Sequence, residues 1–435
     1  MKSRELLIGI LLSVVFFIVF FLLSVPYYSG DVKNHIFWGR SILEEGAAGF
    51  YDRDMQGWSY PNYPPVSMLS FAGSVWLYDF KKNSIYYLNS FPFFPSALVP
   101  WIENENVYVS FLKIPAILPF VLSGYFIFLF GRLLKMSRKN SLIWTILFLF
   151  NPGLFYLSIV WGQNDFMQVL FILGAFYFLL KEKFVLSYVL AGLSILSKQT
   201  VLMVWGIFMI SVFKLNGISK SLVAFGTSIL VLWIAYLPFN VTGPIWPFTY
   251  YNETLKSTGF LVADNAINFW GMYSGFKQLD AAENIFLFSY EKWGFLIFAL
   301  MFIPLAIRYL KTKFSHELLF YFLFLSSIMY FFILTRMHER YLFFGVVFAQ
   351  LLVMANRKYW YNLVFFSILY FLNLYRGLFQ PDFYLLPELL RSNFFLDGLV
   401  IIYLIVLVYN YYGFMFKLNE NFISGKHETK NNEKS

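Results

Sequence analysis

The sequence predicts an all-α, polytopic membrane protein. Of its 435 residues, 59% are hydrophobic and only 13% are charged. Soluble domains are about half apolar and about a quarter charged, so this balance is typical of a chain that crosses a bilayer many times. Basic cytoplasmic loops account for the formal net charge of +9, which argues against nucleic-acid binding. The chain contains no cysteine, which excludes disulfides and thiol chemistry.

Apolar segments separated by short polar loops predict about twelve transmembrane helices. The first segment, "LLIGILLSVVFFIVFFLLSV", is longer than the apolar core of a secretory signal peptide, so we expect it to be retained as a span. Several others fall short of the roughly 20 residues that a full crossing needs. The predicted spans are 6–25, 107–130, 141–158, 166–180, 184–197, 200–213, 221–239, 294–310, 318–335, 341–354, 359–375 and 397–415.

Lys and Arg in short loops predict the orientation, because such loops stay on the cytoplasmic side. This rule places both termini in the cytoplasm, with 421–435 as a polar, disordered tail. Two large loops, 26–106 and 240–293, then face the extracytoplasmic side of the plasma membrane. This orientation requires that 63–80 form an interfacial or re-entrant helix, since a crossing there would invert every later loop. Segment 81–106 has no evident assignment.

The unusual polar clusters all fall on the predicted extracytoplasmic side, at the ends of spans. A solute transporter would place ionisable groups near the bilayer midplane, on broken helices, and would show inverted repeats. Charges in loops at the membrane surface instead favour a site that is open to a lipid-attached substrate.

The first external loop begins "PYYSGDVKNHIFWGR", with Asp31 close to the membrane. In a helix, Asp31, His35 and Trp38 would share one face. A carboxylate in this position is either the N-cap of a surface helix or a general base that removes a hydroxyl proton.

The segment "WSYPNYPPVS" further along this loop contains prolines that hold it extended. Its Tyr63 belongs either to an aromatic belt at headgroup level or to a wall against which a sugar ring stacks. Asp52 and Asp54 have the spacing of a metal and diphosphate site, which is a weak signal in a polar loop.

Two further clusters join predicted spans. In "WGQND", Gln163 lies beside Asp165, which is either a helix cap or part of a site. In "SKQ", Lys198 and Gln199 stand between apolar runs, where a lysine either snorkels to the surface or contacts an anion such as a phosphate.

The last two clusters lie in the second half of the chain. "VADNAINFW" offers the amide of Asn268 and the indole of Trp270, or else it packs as an interfacial helix. "RMHERY" places Arg336, His338, Glu339 and Arg340 at one membrane boundary. Two Arg forks can clamp a phosphate, and a Glu between them can orient one of them. The alternative is a salt-bridged loop that holds helices together.

The order "GD…H", "YPP", "NP…WGQND", "SKQ", "NFW" and "RMHERY" over about residues 25–345 resembles the integral-membrane GT-C glycosyltransferases. The resemblance is greatest to bacterial relatives of the dolichyl-phosphate-glucose glucosyltransferases and the GPI-anchor mannosyltransferases. It implies a polyprenyl-phosphate sugar donor, an extracytoplasmic glycan or lipid acceptor, inversion at the anomeric carbon, and no metal or other cofactor. It also implies a catalytic membrane module over 1–240, and a second external loop with C-terminal helices over 241–420.

The resemblance makes Asp31 the catalytic base. The expected donor-phosphate ligands are Arg336, His338, Glu339, Arg340 and Lys198. The expected substrate contacts are His35, Tyr63, Gln163, Asp165, Gln199, Asn268 and Trp270. Two alternatives are a lipid-linked sugar transporter and a polysaccharide polymerase or ligase. The ligase usually has an Arg-rich external loop, whereas 240–293 contains no Arg.

Overall fold

The chain is almost entirely helical in a computed structural model, which describes residues 3–24, 26–27, 29–239, 245–257 and 259–417. The predicted disordered tail, 421–435, lies outside the described residues. The chain divides into two compact units: unit 1 comprises Met1–Thr258 with Leu378–Asp382, and unit 2 comprises Gly259–Gly377 with Phe383–Ser435.

Unit 1 is a bundle of helices with short breaks between them. Its α-helices are α1 Ser3–Ser24, α2 Gly30–Glu45, α3 Pro65–Leu88, α4 Leu98–Glu103, α5 Glu105–Leu112, α6 Ile114–Leu133, α7 Arg138–Leu149, α8 Pro152–Phe155, α9 Asp165–Leu180, α10 Phe184–Ile195, α11 Leu202–Tyr236 and α12 Trp246–Ser257. A π-helical turn follows α8 at Tyr156–Trp161, and 3₁₀ turns lie at Phe50–Asp52, Gln199–Val201 and Leu237–Phe239.

Unit 2 combines helices with two very small sheets. Its elements are β1 Ala263–Asp264, α13 Phe269–Tyr273, β2 Asn284–Ile285, β3 Phe288–Ser289, α14 Tyr290–Lys311, α15 His316–Ile333, β4 Met337–His338, α16 Phe343–Ala355, α17 Trp360–Leu378, α18 Leu386–Arg391 and α19 Asn393–Tyr412. Strands β1 and β4 pair in parallel, and β2 pairs antiparallel with β3. A π-helical turn, Gly413–Lys417, follows α19, and 3₁₀ turns lie at Glu339–Leu342 and Arg357–Tyr359.

Several long apolar helices support the prediction of a membrane protein. Among the described residues, five are long and apolar enough to cross a bilayer, or six if one bent pair counts as a span. The five are Ile114–Leu133, Gln199–Phe239, Tyr290–Lys311, His316–Ile333 and Asn393–Lys417, and the bent pair is Arg138–Leu149 with Pro152–Trp161. The expected number of twelve is therefore not confirmed.

Helix breaks explain much of the difference from the predicted spans. The expected span 107–130 is divided at Lys113 between α5 and α6. The expected spans 200–213 and 221–239 lie on the two sides of Gly217, whose φ of 77° interrupts the helical backbone within α11. Apolar helices such as α9 and α10 have only 16 and 12 residues. Apolar composition predicted these two helices to within about two residues, but it did not predict the break at Lys113.

Segment 63–80 forms part of α3, which extends to Leu88 and is not among the candidate spans. The unassigned segment 81–106 begins as the end of this helix and continues into α4 and α5. The hydroxyl of Tyr78 donates to the carbonyl of Ile102 at 2.9 Å, and both residues pack with Phe111. These contacts fold α4 and α5 back onto α3.

Aromatic residues fill the interior of both units. In unit 1, the Phe120 ring lies 5.9 Å from Phe20 and 4.6 Å from Phe166, between centroids. In unit 2, α15 and α16 are buried over most of their lengths and form the centre of the unit. Stacked and edge-to-face aromatic pairs such as these add roughly 0.5–1.5 kcal/mol beyond the burial of their area.

The close approach of α2 and α3 can be tested at Gly39. A Cβ atom added there would lie 2.7 Å from the carbonyl carbon and oxygen of Phe71, so the helices would have to separate. We expect Gly39→Ala to destabilise the protein by about 1–3 kcal/mol in thermal unfolding. Gly73→Ala is the matched control, since its new Cβ would meet nothing within 4 Å. Equal unfolding temperatures for both variants would contradict this packing.

Candidate functional site

Asp31 lies in the first turn of α2 and is half-buried. The indole Nε1 of Trp161 donates to its Oδ2 at 2.9 Å, and the amide of Gln163 donates to the same oxygen. Ser29, not Asp31, occupies the N-cap position of α2, so Asp31 does not serve as the helix cap. The carboxylate is instead held in one orientation by two neutral donors that the "WGQND" segment supplies.

The predicted substrate contacts His35 and Tyr63 lie in an aromatic cluster of unit 1. The His35 ring stacks on Phe71 at 4.2 Å and lies 5.7 Å from Tyr63. The hydroxyl of Tyr63 donates to Oε1 of Gln163 at 3.4 Å, which connects it to the amide that holds Asp31. Tyr63 is buried, so it does not belong to a surface aromatic belt.

Lys198 forms a buried ion pair with Asp165. Its Nζ lies 2.9 Å from Oδ1 of Asp165, and their side chains are 3% and 0% exposed. The same Nζ lies 4.8 Å from the centre of the Tyr63 ring. Lys198 therefore does not snorkel, and Asp165 binds a lysine rather than capping its helix, whose N-cap is Asn164.

Two neighbours complete this part of unit 1. Gln168 donates to Oδ1 of Asp165 at 3.2 Å, and Gln199 donates to the carbonyl of Asn62 at 2.9 Å. The other carboxylate oxygen of Asp165 is buried without a hydrogen-bond partner among the described residues. The structure thus brings the predicted site residues of unit 1 into one connected cluster, which runs from Asp31 to Lys198.

Lys113, which is completely buried, was not predicted as a residue of the site. Its Nζ lies within hydrogen-bond distance of four backbone carbonyls, those of Ser24, Tyr27, Ile159 and Val160. These carbonyls end α1, precede Asp31, and belong to the π-helical turn that carries Trp161. One ammonium group therefore joins the segment that carries Asp31 to the segment that binds it.

Ser29 and Gly162 also hold together the two segments that Lys113 joins, and we call this contact region the junction. The hydroxyl of Ser29 donates to the carbonyl of Trp161 at 2.9 Å. Gly162 has φ +81°, and a Cβ there would lie 2.9 Å from Cγ of Lys113 and 3.0 Å from Cγ2 of Val32. A side chain at position 162 would thus be strained in its backbone and would displace the lysine. Glycine lets the chain turn here and deliver Gln163 to Asp31.

In unit 2, the predicted cluster around His338 is organised by the pairing of β1 with β4. Asp264 lies opposite His338 in this register, and its Oδ2 lies 3.1 Å from Nδ1 of His338. The hydrogen bond from His338 lowers the pKa of Asp264, so this carboxyl is ionised at neutral pH. Asp264 lies in the segment "VADNAINFW" but was not predicted as a site residue, because its partner lies in a distant part of the sequence.

The two arginines of this cluster bind different carboxylates. An Nη atom of Arg340 lies 3.0 Å from Oε1 of Glu339, as expected if Glu339 orients an arginine. An Nη atom of Arg336 lies 3.0 Å from Oε2 of Glu291, at the start of α14. Arg376, which sequence reasoning also missed, donates to the carbonyl of Asn265 at 2.9 Å. Three guanidinium groups therefore belong to this part of unit 2.

Asn268 and Trp270 have internal partners in unit 2. The amide oxygen of Asn268 accepts from the backbone N–H of Gly271 at 2.8 Å, and its Nδ2 donates to the carbonyl of Phe331 at 3.0 Å. The indole N–H of Trp270 donates to the carbonyl of Ile333. These contacts attach α13 to α15, and a role of either side chain in substrate binding stays a prediction.

Asp264, His338 and Glu339 have the composition of a metal site. One ligand atom from each lies within 4.8 Å of the others. Carboxylate and imidazole ligands suit several divalent metals. However, Glu339 already pairs with Arg340, and Asp264 already accepts from His338, so each carboxylate already has a protein partner. A metal would have to displace Arg340 from Glu339.

Neither a protein-family model nor a curated protein sequence matches the chain. Function is therefore inferred from these two clusters of side chains.

The role of Lys113 can be tested by Lys113→Met, which keeps the length of the side chain but removes its charge and its donors. Four carbonyls would lose their shared partner, so we expect a loss of at least about 2 kcal/mol in thermal unfolding. Lys181→Met removes an exposed charge from unit 1 and should unfold like the wild type. The junction would be unimportant if the two variants were equally stable.

Proposed function

We propose that the protein is an inverting glycosyltransferase that transfers a hexose from a polyprenyl-phosphate donor to an extracytoplasmic glycan or lipid acceptor. The observation that carries the proposal is the half-buried carboxylate of Asp31, held by Trp161 and Gln163 in a chain with very few charges. The order of the motifs, which resembles that of the GT-C glycosyltransferases, supports the same function.

In this proposal, Asp31 is the general base. It accepts the proton of the attacking hydroxyl while that oxygen bonds to the anomeric carbon of the sugar. The bond from this carbon to the phosphate oxygen breaks, and the bonding electrons leave with polyprenyl phosphate. Trp161 and Gln163 act as positioning residues, because their hydrogen bonds set the direction of the carboxylate.

The leaving phosphate gains negative charge as this bond breaks, so it needs donors that are already in place. We assign this role to Arg336, His338 and Arg340, with Glu339 holding Arg340 in position. Lys198 is a further candidate ligand, whose ammonium group would bind Asp165 and the phosphate at the same time. We further propose a plasma-membrane protein with cytoplasmic termini, on the support of the basic loops.

The base can be tested with Asp31→Asn, which keeps the size of the side chain but removes its basicity. With polyprenyl-phosphate sugars and extracted lipid acceptors, we expect kcat to fall by at least about 100-fold. The KM for the donor should change little. Asp52→Asn, at an exposed carboxylate of unit 1, should retain activity. By contrast, Arg340→Ala should raise the donor KM and lower kcat, since it removes a contact to the phosphate. If Asp31→Asn retained more than about a tenth of wild-type turnover, general-base catalysis by Asp31 would be excluded.

The second test concerns metal dependence. We expect turnover to survive EDTA, because arginine and histidine side chains would neutralise the leaving phosphate. A strict requirement for Mg²⁺ or Mn²⁺ would contradict the metal-independent proposal. In that case Asp264→Asn should raise the metal concentration that activity requires. Asp54→Asn should not, because Asp264, unlike Asp54, lies in a cluster of suitable ligands.

A further inference from the structure

A cavity that is remote in sequence from the His338 cluster lies among helix ends in unit 2. Its volume is about 260 Å³, and tyrosines and lysines line it. Tyr409, Tyr412 and Lys417 contribute from the end of α19 and its π-helical turn, while Lys358 and Tyr361 contribute from the start of α17 and the turn before it. π-Helical turns often occur at functional sites.

The cavity wall is held by hydrogen bonds between buried groups. The hydroxyl of Tyr321 donates to the carbonyl of Asn410 at 2.8 Å, and the amides of Asn362 and Asn410 pair at 2.8 and 2.9 Å. A Cβ at Gly413 would lie 3.0 Å from the Tyr321 hydroxyl, so glycine keeps this wall open. The cavity therefore lies between helices that specific hydrogen bonds hold together.

This end of unit 2 is strongly basic. The end of α14, the start of α15, the turn before α17 and the end of α19 meet here. Their basic residues are Arg308, Lys311, Lys313, Arg357, Lys358 and Lys417, against the acidic residue Glu317. Glu317 pairs with Lys358 at 3.1 Å, whereas Lys417 lies over the ring of Tyr412 at 5.5 Å. The excess positive charge suits an anion with several acceptor oxygens.

Exposed apolar side chains lie on α17 and α19 beside the cavity. The rings of Tyr361 and Tyr409 lie 5.9 Å apart, so α17 and α19 adjoin at the cavity mouth. One or two turns further along, α17 exposes Val364 and Ile368, and α19 exposes Ile405. Residues at these spacings follow the same helix faces as the two tyrosines. An anion bound in the cavity would therefore have a hydrocarbon-like surface beside it.

We propose that this cavity binds the phosphodiester head group of an anionic phospholipid, whose acyl chain lies against the exposed apolar side chains of α17 and α19. Basic pockets between membrane helices bind acidic head groups in this way. The combination of a basic cavity with an adjoining apolar surface matches both parts of a lipid. The inference depends on the membrane location but does not depend on glycosyl transfer.

Native mass spectrometry of the full-length protein in detergent would test this site, with phosphatidylglycerol and phosphatidylcholine offered at equal concentrations. We expect the wild type to retain phosphatidylglycerol selectively. The double variant Lys358→Gln, Lys417→Gln should bind it on the order of tenfold more weakly. Lys417→Gln alone should also weaken binding, and it leaves the pair of Lys358 with Glu317 intact.

The matched control is the double variant Lys311→Gln, Lys313→Gln. It removes the same amount of charge from exposed residues at the basic end of unit 2 that do not line the cavity. It should keep the affinity for phosphatidylglycerol. An equal loss in the control would overturn the proposal, because it would indicate general attraction to a basic surface. Equal retention of the two lipids by the wild type would also overturn it. Inorganic phosphate should not displace the lipid; displacement at millimolar concentration would identify the ligand as a soluble anion instead.

Discussion

The contact on which the candidate site of unit 1 depends is the ammonium group of Lys113 among four backbone carbonyls. Within or beside a bilayer, carbonyls at a helix end or at an irregular turn must find donors in the protein, because water is scarce. Lys113 supplies these donors to the end of α1 and to the π-helical turn at once. Together with the Ser29 hydroxyl and the turn at Gly162, this group sets the position of Asp31 relative to Trp161.

Charge is scarce in this chain, and several charged groups of the two clusters bind one another in pairs. In unit 1, Lys198 binds Asp165 in the interior. In unit 2, Arg340 binds Glu339, Arg336 binds Glu291, and His338 binds Asp264. A buried ion pair contributes little net stability, but the loss of one partner leaves an uncompensated charge and is costly. Such pairs therefore hold side chains in defined orientations, which suits the recognition of a charged substrate.

Composition and periodicity determined a large part of the architecture. A chain so rich in apolar residues can satisfy its backbone in a membrane only by forming helices or closed barrels, and long apolar runs favour helices. The number of full crossings did not follow, because Lys113 divides one expected span and because several apolar helices are shorter than a full crossing needs.

The sequence by itself determined that the protein is helical and membrane-like, and it identified Asp31, Gln163, Lys198 and His338 as unusual polar residues in apolar surroundings. Only the tertiary structure decided what these groups contact. Lys113 reaches carbonyls 89 and 46 residues away, and Trp161 reaches a carboxylate 130 residues away. No local pattern records such pairs, since their energy comes from hydrogen bonds that exist only after the helices have packed together.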